Sequence, residues 1–223
     1  ILKTLAFAID ELGLAERTIF GCDIGCSLLS WNYMDLDTVQ THHGRTTPVI
    51  YGVVRARPDT VGIAYMGDGG GLAIGAQHLV NAAVRNEKML AILVNNTNYG
   101  MTGGQMAPTT MPGQITETTP YGRDPEITGK PAKGAEMVTA LVDQDKAFVA
   151  RASVSNLRKL RTTFKKALTN VAEGRGFSFV EVLSLCPLNW RTNNEKTWER
   201  LKTMEECFEV KDFVVPQELE GVK

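Results

Sequence analysis

The sequence predicts an α/β fold, a mostly parallel sheet with helices on both faces, and three observations carry that prediction. Met89–Val94 is an almost uninterrupted apolar run, as expected of a parallel strand covered on both sides. Val61–Met66 reads as a second such strand. Between them lies a stretch with helical spacing of its apolar residues (Leu72, Ile74, Ala76, Leu79, Val80, Ala83, Val84), which makes one right-handed strand–helix–strand unit. Both strands end in small or oxygen-bearing residues, Gly67-Asp68-Gly69 and Asn95-Asn96, where an α/β sheet keeps its ligand crevice.

The other elements follow in chain order. Residues 1–13 place Leu2, Leu5, Ala6, Ile9 and Leu12 at helical spacing, and Gly13 closes that helix. Thr18–Phe20 is a short strand running into Gly21-Cys22-Asp23-Ile24-Gly25-Cys26-Ser27, a tight loop in which Ser27 is placed to cap or to contact a ligand. Thr46–Val54 is a mixed run, and Arg57-Pro58-Asp59 a turn. After the central unit, residues 100–135 are rich in Gly, Pro and Thr with little periodicity, which predicts a long functional loop. A helix near Gly134–Leu141, a strand at Ala147–Ser153, a basic helix over Val154–Ala172 and a strand at Phe177–Leu183 come next. Arg158, Lys159, Arg161, Lys165 and Lys166 give that helix a solvated face. The chain ends with a helix near Glu195–Phe208 and extended segments. No repeat and no linker interrupts it, so residues 1–223 are expected to form a single domain.

Composition narrows the function classes. A chain of 223 residues with 43% hydrophobic and 22% charged content can bury a substantial core. A formal net charge of −1 makes no case for nucleic acid or an anionic membrane surface. No apolar run approaches ~20 residues. Cys22, Cys26, Cys186 and Cys207 are too few for a disulfide scaffold, so reduced thiols in a cytoplasmic protein are expected. The chain opens inside a helical pattern without an initiator Met, and residues ahead of Ile1 are expected to be missing.

The candidate site gathers at the strand ends. Asp68 offers a hard carboxylate and Asn96 an amide oxygen, while the glycines admit a bulky anion. Together they suit a diphosphate held through a divalent cation. In His43-Gly44-Arg45, the histidine can donate to a phosphoryl oxygen and the arginine can pair with it. Leu185-Cys186-Pro187 lies at the same sheet edge if the strands are parallel.

Gly67-Asp68-Gly69 followed about one strand–helix–strand unit later by Asn95-Asn96 has the spacing of the thiamine-diphosphate motif. Its continuation, N-N-T-N-Y-G-M-T-G-G-Q-M-A-P-T-T, closely resembles the beta subunits of 2-oxoacid:ferredoxin oxidoreductases. Cys26-Ser27, His43-Gly44-Arg45 and Leu185-Cys186-Pro187 match that family as well. Trp31-Asn32-Tyr33, M-A-P-T-T-M-P-G-Q and T-P-Y-G-R-D look most like its 2-oxoisovalerate (branched-chain) type.

The resemblance implies a thiamine-diphosphate-binding fold. Asp68, Asn96 and the carbonyl of Asn98 would bind Mg²⁺. Gly67, Gly69, Gly70, Gly100, Met101 and Thr102 would line the diphosphate, and Ile24, Gly25, Cys26, Ser27 and His43 would also contact the cofactor. It implies a [4Fe-4S] cluster on four cysteines, of which Cys26 and Cys186 match two. The other two belong, in relatives, to a C-P-x-C motif just ahead of the helix that opens this chain, and Cys22 and Cys207 match neither. The implied reaction is oxidative decarboxylation of a 2-oxoacid to an acyl-CoA and CO₂, with electrons passed to ferredoxin. The substrate would be 2-oxoisovalerate or another branched-chain 2-oxoacid, with 2-oxoglutarate, pyruvate or indolepyruvate as alternatives; a non-oxidative thiamine-dependent decarboxylase or synthase and a non-catalytic cofactor-binding subunit are the rival readings. The activating glutamate is expected on an alpha, pyrimidine-binding subunit, beside gamma- and delta-type subunits.

Overall fold

The structure, a computed structural model, describes residues 1–222. Helix α1 (Leu2–Glu11) buries Leu5, Ala8 and Ile9, and Gly13, at φ +63°, makes the left-handed turn that stops it. Strands β1 (Thr18–Cys22) and β2 (Asp37–Gln40) precede helix α2 (Thr46–Ala56). The run expected to be mixed at Thr46–Val54 is therefore helical. Ile50 and Val54, one turn apart, are buried, and Pro48 falls in the first turn, where no helix hydrogen bond is lost. Its β-branched residues weigh less than the covered apolar stripe.

Strand β3 (Val61–Gly67) leads into a π-helical turn at Gly70–Ile74, and helix α3 (Ala76–Val84) begins only beyond it. The helix expected over Leu72–Arg85 is thus interrupted. Three backbone segments meet at the break: a Cβ on Gly75 would lie 2.6 Å from the Gly70 carbonyl oxygen and 2.7 Å from that of Gly44. Strand β4 (Met89–Asn95) is followed by a small antiparallel hairpin, β5 (Asn98–Tyr99) with β6 (Gln105–Met106), and by helix α4 (Pro125–Thr128). The stretch expected to be irregular therefore contains short ordered elements.

Helix α5 (Gly134–Thr139), strand β7 (Phe148–Ser153), helix α6 (Leu157–Ala172) and strand β8 (Ser178–Leu183) come next. Helix α6 starts at Leu157, not Val154, because the Asn156 side chain caps it by accepting from the Lys159 N–H at 3.0 Å. Its basic face is only partly free: Arg161 and Lys165 pair with Glu11, and Lys166 with Asp212 at 3.0 Å. Helices α7 (Pro187–Trp190) and α8 (Asn194–Cys207) and strand β9 (Asp212–Val214) complete the chain.

Seven strands form one sheet in the order β2-β1-β3-β4-β8-β7-β9, parallel except for β9, which runs antiparallel to β7. Alternation along each central strand divides the core. Leu90 and Ile92 of β4 face a cluster with Leu5 and Ile9 of α1 and Leu160 and Phe164 of α6. Met89, Ala91 and Leu93 face the opposite cluster, with Ile50 of α2, Leu79 of α3 and Val138 of α5. Each large side chain so buried contributes about 1.5–3 kcal/mol. Parallel pairing carries β1, β3, β4 and β8 to one sheet edge, which brings Asp23, Asp68, Asn96 and Cys186 to the same end. Among the described residues, no helix is long and apolar enough to cross a membrane.

Candidate cofactor site

A cleft of about 170 Å³ opens at that sheet edge. Apart from Arg45, the residues expected to contact the cofactor line it, from Ile24–Ser27 and His43 through Gly67–Gly70 to Asn96, Asn98 and Gly100–Thr102. Tyr65, Val94 and Tyr99 line it too, unanticipated from the sequence. A larger groove of about 920 Å³ lies between the 111–120 loop and helix α8, away from Asp68.

Asp68 is the electrostatic centre of the cleft. It is 2% exposed, accepts from the Gly69 N–H at 2.9 Å and receives the Thr109 hydroxyl. Desolvation by burial pushes its pKa up to about 7, Glu181 adds to the rise, and hydrogen bonding from Thr109, Gly69 and the Thr97 backbone opposes it. A carboxylate so placed is half protonated near neutrality unless a cation joins it. Thr109→Val keeps the shape and removes the hydroxyl that favours the anion. The pH midpoint of Mg²⁺-dependent cofactor binding should then move up by on the order of one unit, which calorimetry between pH 6 and 9 measures. An unchanged midpoint would remove Thr109 from the site.

The turn after β4 supplies the other oxygens. Asn95 Oδ1 accepts from the Thr97 N–H at 3.1 Å, and Asn96 Oδ1 from the Asn98 N–H at 3.3 Å. Thr97 is held at φ +60°. Its carbonyl receives Thr110 Oγ1 at 2.7 Å and Gln114 Nε2 at 3.0 Å, and Trp190 Nε1 donates to the Asn96 carbonyl at 3.1 Å. The 105–123 loop is thus a clamp on this turn. Arg123, 4% exposed, fastens the loop by donating to the carbonyls of Pro108, Thr110, Thr128 and Lys130. Asn98 Oδ1 is buried without a partner. An unpaired buried oxygen beside a buried carboxylate fits a hard divalent cation, which gathers about six oxygens.

Asp23, which the sequence did not single out as functional, organises the His43 side of the cleft. It is fully buried, accepts from the Gly44 N–H at 2.7 Å and Thr46 Oγ1 at 3.3 Å, and takes His43 Nδ1 at 3.0 Å. His43 Nε2 is left for a ligand. The Asp23 carboxyl is pushed above its ordinary value by burial, against these hydrogen bonds. One expectation is corrected here. Arg45 does not face the cleft: it is exposed, with Nη1 3.4 Å from both the Gly44 and Ile74 carbonyls. The Ser27 hydroxyl donates to the Asp23 carbonyl at 3.1 Å, and that of Thr102 to Gln105 Oε1 at 2.5 Å. Both residues line the cleft, but neither hydroxyl is spare.

Cys26 and Cys186 converge at the cleft mouth. Cys26 is exposed, and burial of its sulfur and the nearby Cys186 both raise its pKa. Asn189 bridges this corner, with Nδ2 2.7 Å from the Gly100 carbonyl and 3.4 Å from Cys186 Sγ. Cys22 is buried against Ser30 Oγ at 3.3 Å, and Cys207, the last residue of α8, packs on the same apolar cluster as Cys186. The described residues therefore do not by themselves form a four-thiolate site. Nor do they place three or more His, Cys, Asp or Glu side chains to hold a metal ion.

Residues 23–182 match the family model described as thiamine pyrophosphate enzyme, C-terminal TPP binding domain. The ketoisovalerate oxidoreductase subunit VorA of Methanothermobacter thermautotrophicus is 43% identical over 215 residues, covering 95% of this chain and 45% of that protein. The 2-oxoglutarate synthase subunit KorB of Archaeoglobus fulgidus is 36% identical over 220 residues, covering 99% of this chain and 77% of that one. The chain thus spans under half the length of its ketoisovalerate relatives. Among solved structures, a 2-oxoglutarate:ferredoxin oxidoreductase from Magnetococcus marinus, with 2-oxoglutarate, coenzyme A and succinyl-CoA bound, is similar with a TM-score of 0.77. It shares 30% identity and is matched over 89% of this chain and 64% of that one.

Proposed function

The chain belongs to the family of 2-oxoacid:ferredoxin oxidoreductase beta subunits, and from that membership we propose that it holds thiamine diphosphate for the oxidative decarboxylation of a 2-oxoacid to an acyl-CoA, with ferredoxin as electron acceptor. The observation that carries this reading is the cleft: a fully buried carboxylate, an amide oxygen and an unpaired buried oxygen sit beside a row of glycines. Asp68, Asn96 and the Asn98 carbonyl would hold Mg²⁺, and the same turn offers the Asn98 side-chain oxygen. Gly69, Gly70, Gly100 and Met101 would let the diphosphate approach the backbone, with His43 Nε2 as a further donor.

When bound, thiamine diphosphate supplies a nucleophilic carbon for the keto group and an electron sink for the departing CO₂. The chain's own part would be to hold the cation that neutralises the diphosphate and, through the clamped 105–123 loop, to fix Asp68 and the turn at Thr97 in place. Cys26 and Cys186 offer a [4Fe-4S] cluster two of the four thiolates it takes.

A branched-chain substrate is favoured by the apolar side chains of Val94 and Met101 on the cleft wall and by the 43% identity to a ketoisovalerate subunit. The second reading, 2-oxoglutarate, is favoured by the relative matched over most of its length. Steady-state assays with both acids and a dye acceptor separate the two; a higher kcat/KM for 2-oxoglutarate would overturn the branched-chain assignment.

The cleft contains no glutamate to activate the aminopyrimidine, so the site would be completed by an alpha-type subunit, with gamma- and delta-type subunits and ferredoxin as further partners. Purified alone, the chain should bind thiamine diphosphate with Mg²⁺ yet show no 2-oxoacid-dependent dye reduction. Turnover by the isolated chain would refute the shared site.

A further inference from the structure

The centre of the sheet holds two charged residues that no step above uses. Arg151 of β7 and Glu181 of β8 are register partners, both 0% exposed, on strands whose other residues are apolar or serine. Arg151 Nε donates to Glu181 Oε2 at 2.9 Å. The guanidinium also reaches Glu136 and the Glu209 carbonyl, at 3.0 Å from Nη1 to each, and lies 5.5 and 5.2 Å from the rings of Phe208 and Phe213. Glu181 Oε2 accepts from the Ala135 N–H at 3.0 Å as well. Its other oxygen, Oε1, accepts from Asn95 Nδ2 at 2.8 Å.

That last bond has a direction. An ionised Glu181 can only accept, so the Asn95 amide must turn its NH₂ toward it and its oxygen away. The oxygen then meets the Thr97 N–H at 3.1 Å and closes the turn that holds Thr97 at φ +60°. Asn96 and Asn98 are presented to the cleft from the two sides of Thr97. Were the amide reversed, its NH₂ would face the Thr97 N–H, two donors would oppose each other, and a left-handed β-branched residue would lose the bond that offsets its strain. Arg151 Nε and the Ala135 N–H fix the Glu181 carboxylate in place, so the order of control runs from Arg151 to Glu181, to the Asn95 amide, to the turn.

The geometry points to Glu181 as a positioning residue for the metal-bridged cofactor, acting through Asn95 on the turn that carries Asn96 and Asn98. This rests on the cofactor reading of the cleft. In Glu181→Gln, whichever way the amide is turned, one NH₂ faces a donor: Asn95 Nδ2 on one side, or Arg151 Nε and the Ala135 N–H on the other. The substitution also removes a negative charge that acts on Asp68. Losing that charge weakens the attraction for a cation by itself, so the turn's part is read from Thr97 exchange without cofactor and from the double variant, which restores the charge.

The double variant Glu181→Gln with Asn95→Asp restores complementarity with the bond reversed. The NH₂ of the introduced glutamine would donate to the new carboxylate, which still accepts from the Thr97 N–H, and the charge of the network is unchanged.

Two readouts on the full-length protein test this: Mg²⁺-dependent thiamine diphosphate affinity by calorimetry, and hydrogen exchange of the Thr97 amide without cofactor. Glu181→Gln should weaken the affinity and speed the exchange by about tenfold each, and the double variant should recover both to within about threefold. If Glu181→Gln does not fold, Asn95→Asp alone carries the same expectation, because it sets two carboxylates against each other. Values for Glu181→Gln within twofold of the parent, or a double variant no better than its singles, overturn the inference. A parent protein that fails to bind thiamine diphosphate would sink the cofactor reading instead, while Thr97 exchange would still decide whether Glu181 sets the turn.

Discussion

Asp68→Asn should make the cofactor-free chain more stable and abolish its Mg²⁺-dependent binding of thiamine diphosphate. The two effects share one cause. Burial lifts the Asp68 pKa from 3.8, its value in an unfolded chain, to about 7 in the fold. Between those values the folded chain binds a proton that the unfolded chain has released, so stability falls as pH rises through that window, by about 1.4 kcal/mol per pH unit. Above pH 7 the folded chain carries the whole cost of a buried, ionised carboxylate. Asparagine removes that cost while keeping the local bonds: its oxygen can accept from the Gly69 N–H, and its NH₂ can donate to the Thr109 hydroxyl, which accepts as readily as it donates.

Urea denaturation without cofactor should show a gain of a few kcal/mol at pH 8 that vanishes near pH 4. Calorimetry should find cofactor affinity reduced by about two orders of magnitude or more, because the charged ligand is gone. A variant no more stable than the parent at pH 8, or one that binds the cofactor within tenfold of it, would contradict the assignment of Asp68.

Gly70→Ala is expected to be the most damaging alanine substitution in the Gly67–Gly71 run, although nothing in that run distinguishes Gly70. A Cβ at position 70 would lie 1.9 Å from Asp23 Oδ2. Asp23 cannot yield cheaply, because its two oxygens are tied to the Gly44 N–H, the Thr46 hydroxyl and His43. The methyl group must break that network or push the π-helical turn away from β1, which costs about 1–3 kcal/mol for the overpacking alone and more for each buried donor left unpaired. His43 would lose its orientation together with the carboxylate.

Gly67 provides the control: a Cβ there meets nothing within 4 Å, so Gly67→Ala should leave stability within about 1 kcal/mol. Thermal unfolding of the two variants side by side tests the contrast. Equal losses would mean that the Asp23–Gly70 approach is not what requires glycine.

The parts of this protein that were legible in its sequence are those encoded by neighbours along the chain. Continuous apolar runs and helical spacing located β3, β4, β7, β8, α1, α6 and α8 to within a few residues, because the residues that build one strand or helix are near neighbours along the chain whatever surrounds it. The Gly-Asp-Gly and Asn-Asn signals were legible for the same reason: strand ends in a parallel sheet converge on one edge, and the cleft formed there with Gly67, Asp68, Gly69 and Asn96 on its wall. Helix α2 was not legible, since its β-branched residues and Pro48 oppose a helix locally and the covering of Ile50 and Val54 outweighs them. The interruption before α3 was hidden too, because it arises where Gly75 meets the Gly44 and Gly70 backbones.

What only the tertiary structure decided is how the site residues are held and which nearby residues do the holding. Arg45 sits two residues beyond His43, yet its guanidinium lies outside the cleft on the Ile74 carbonyl. Asp23 reaches His43 across 20 residues, Thr109 reaches Asp68 across 41, and Glu181 reaches Asn95 across 86. Those partners meet because the register of β1, β3, β4 and β8 brings their ends together. A hydrogen bond is specified by position and direction in space, and spacing along the chain encodes neither.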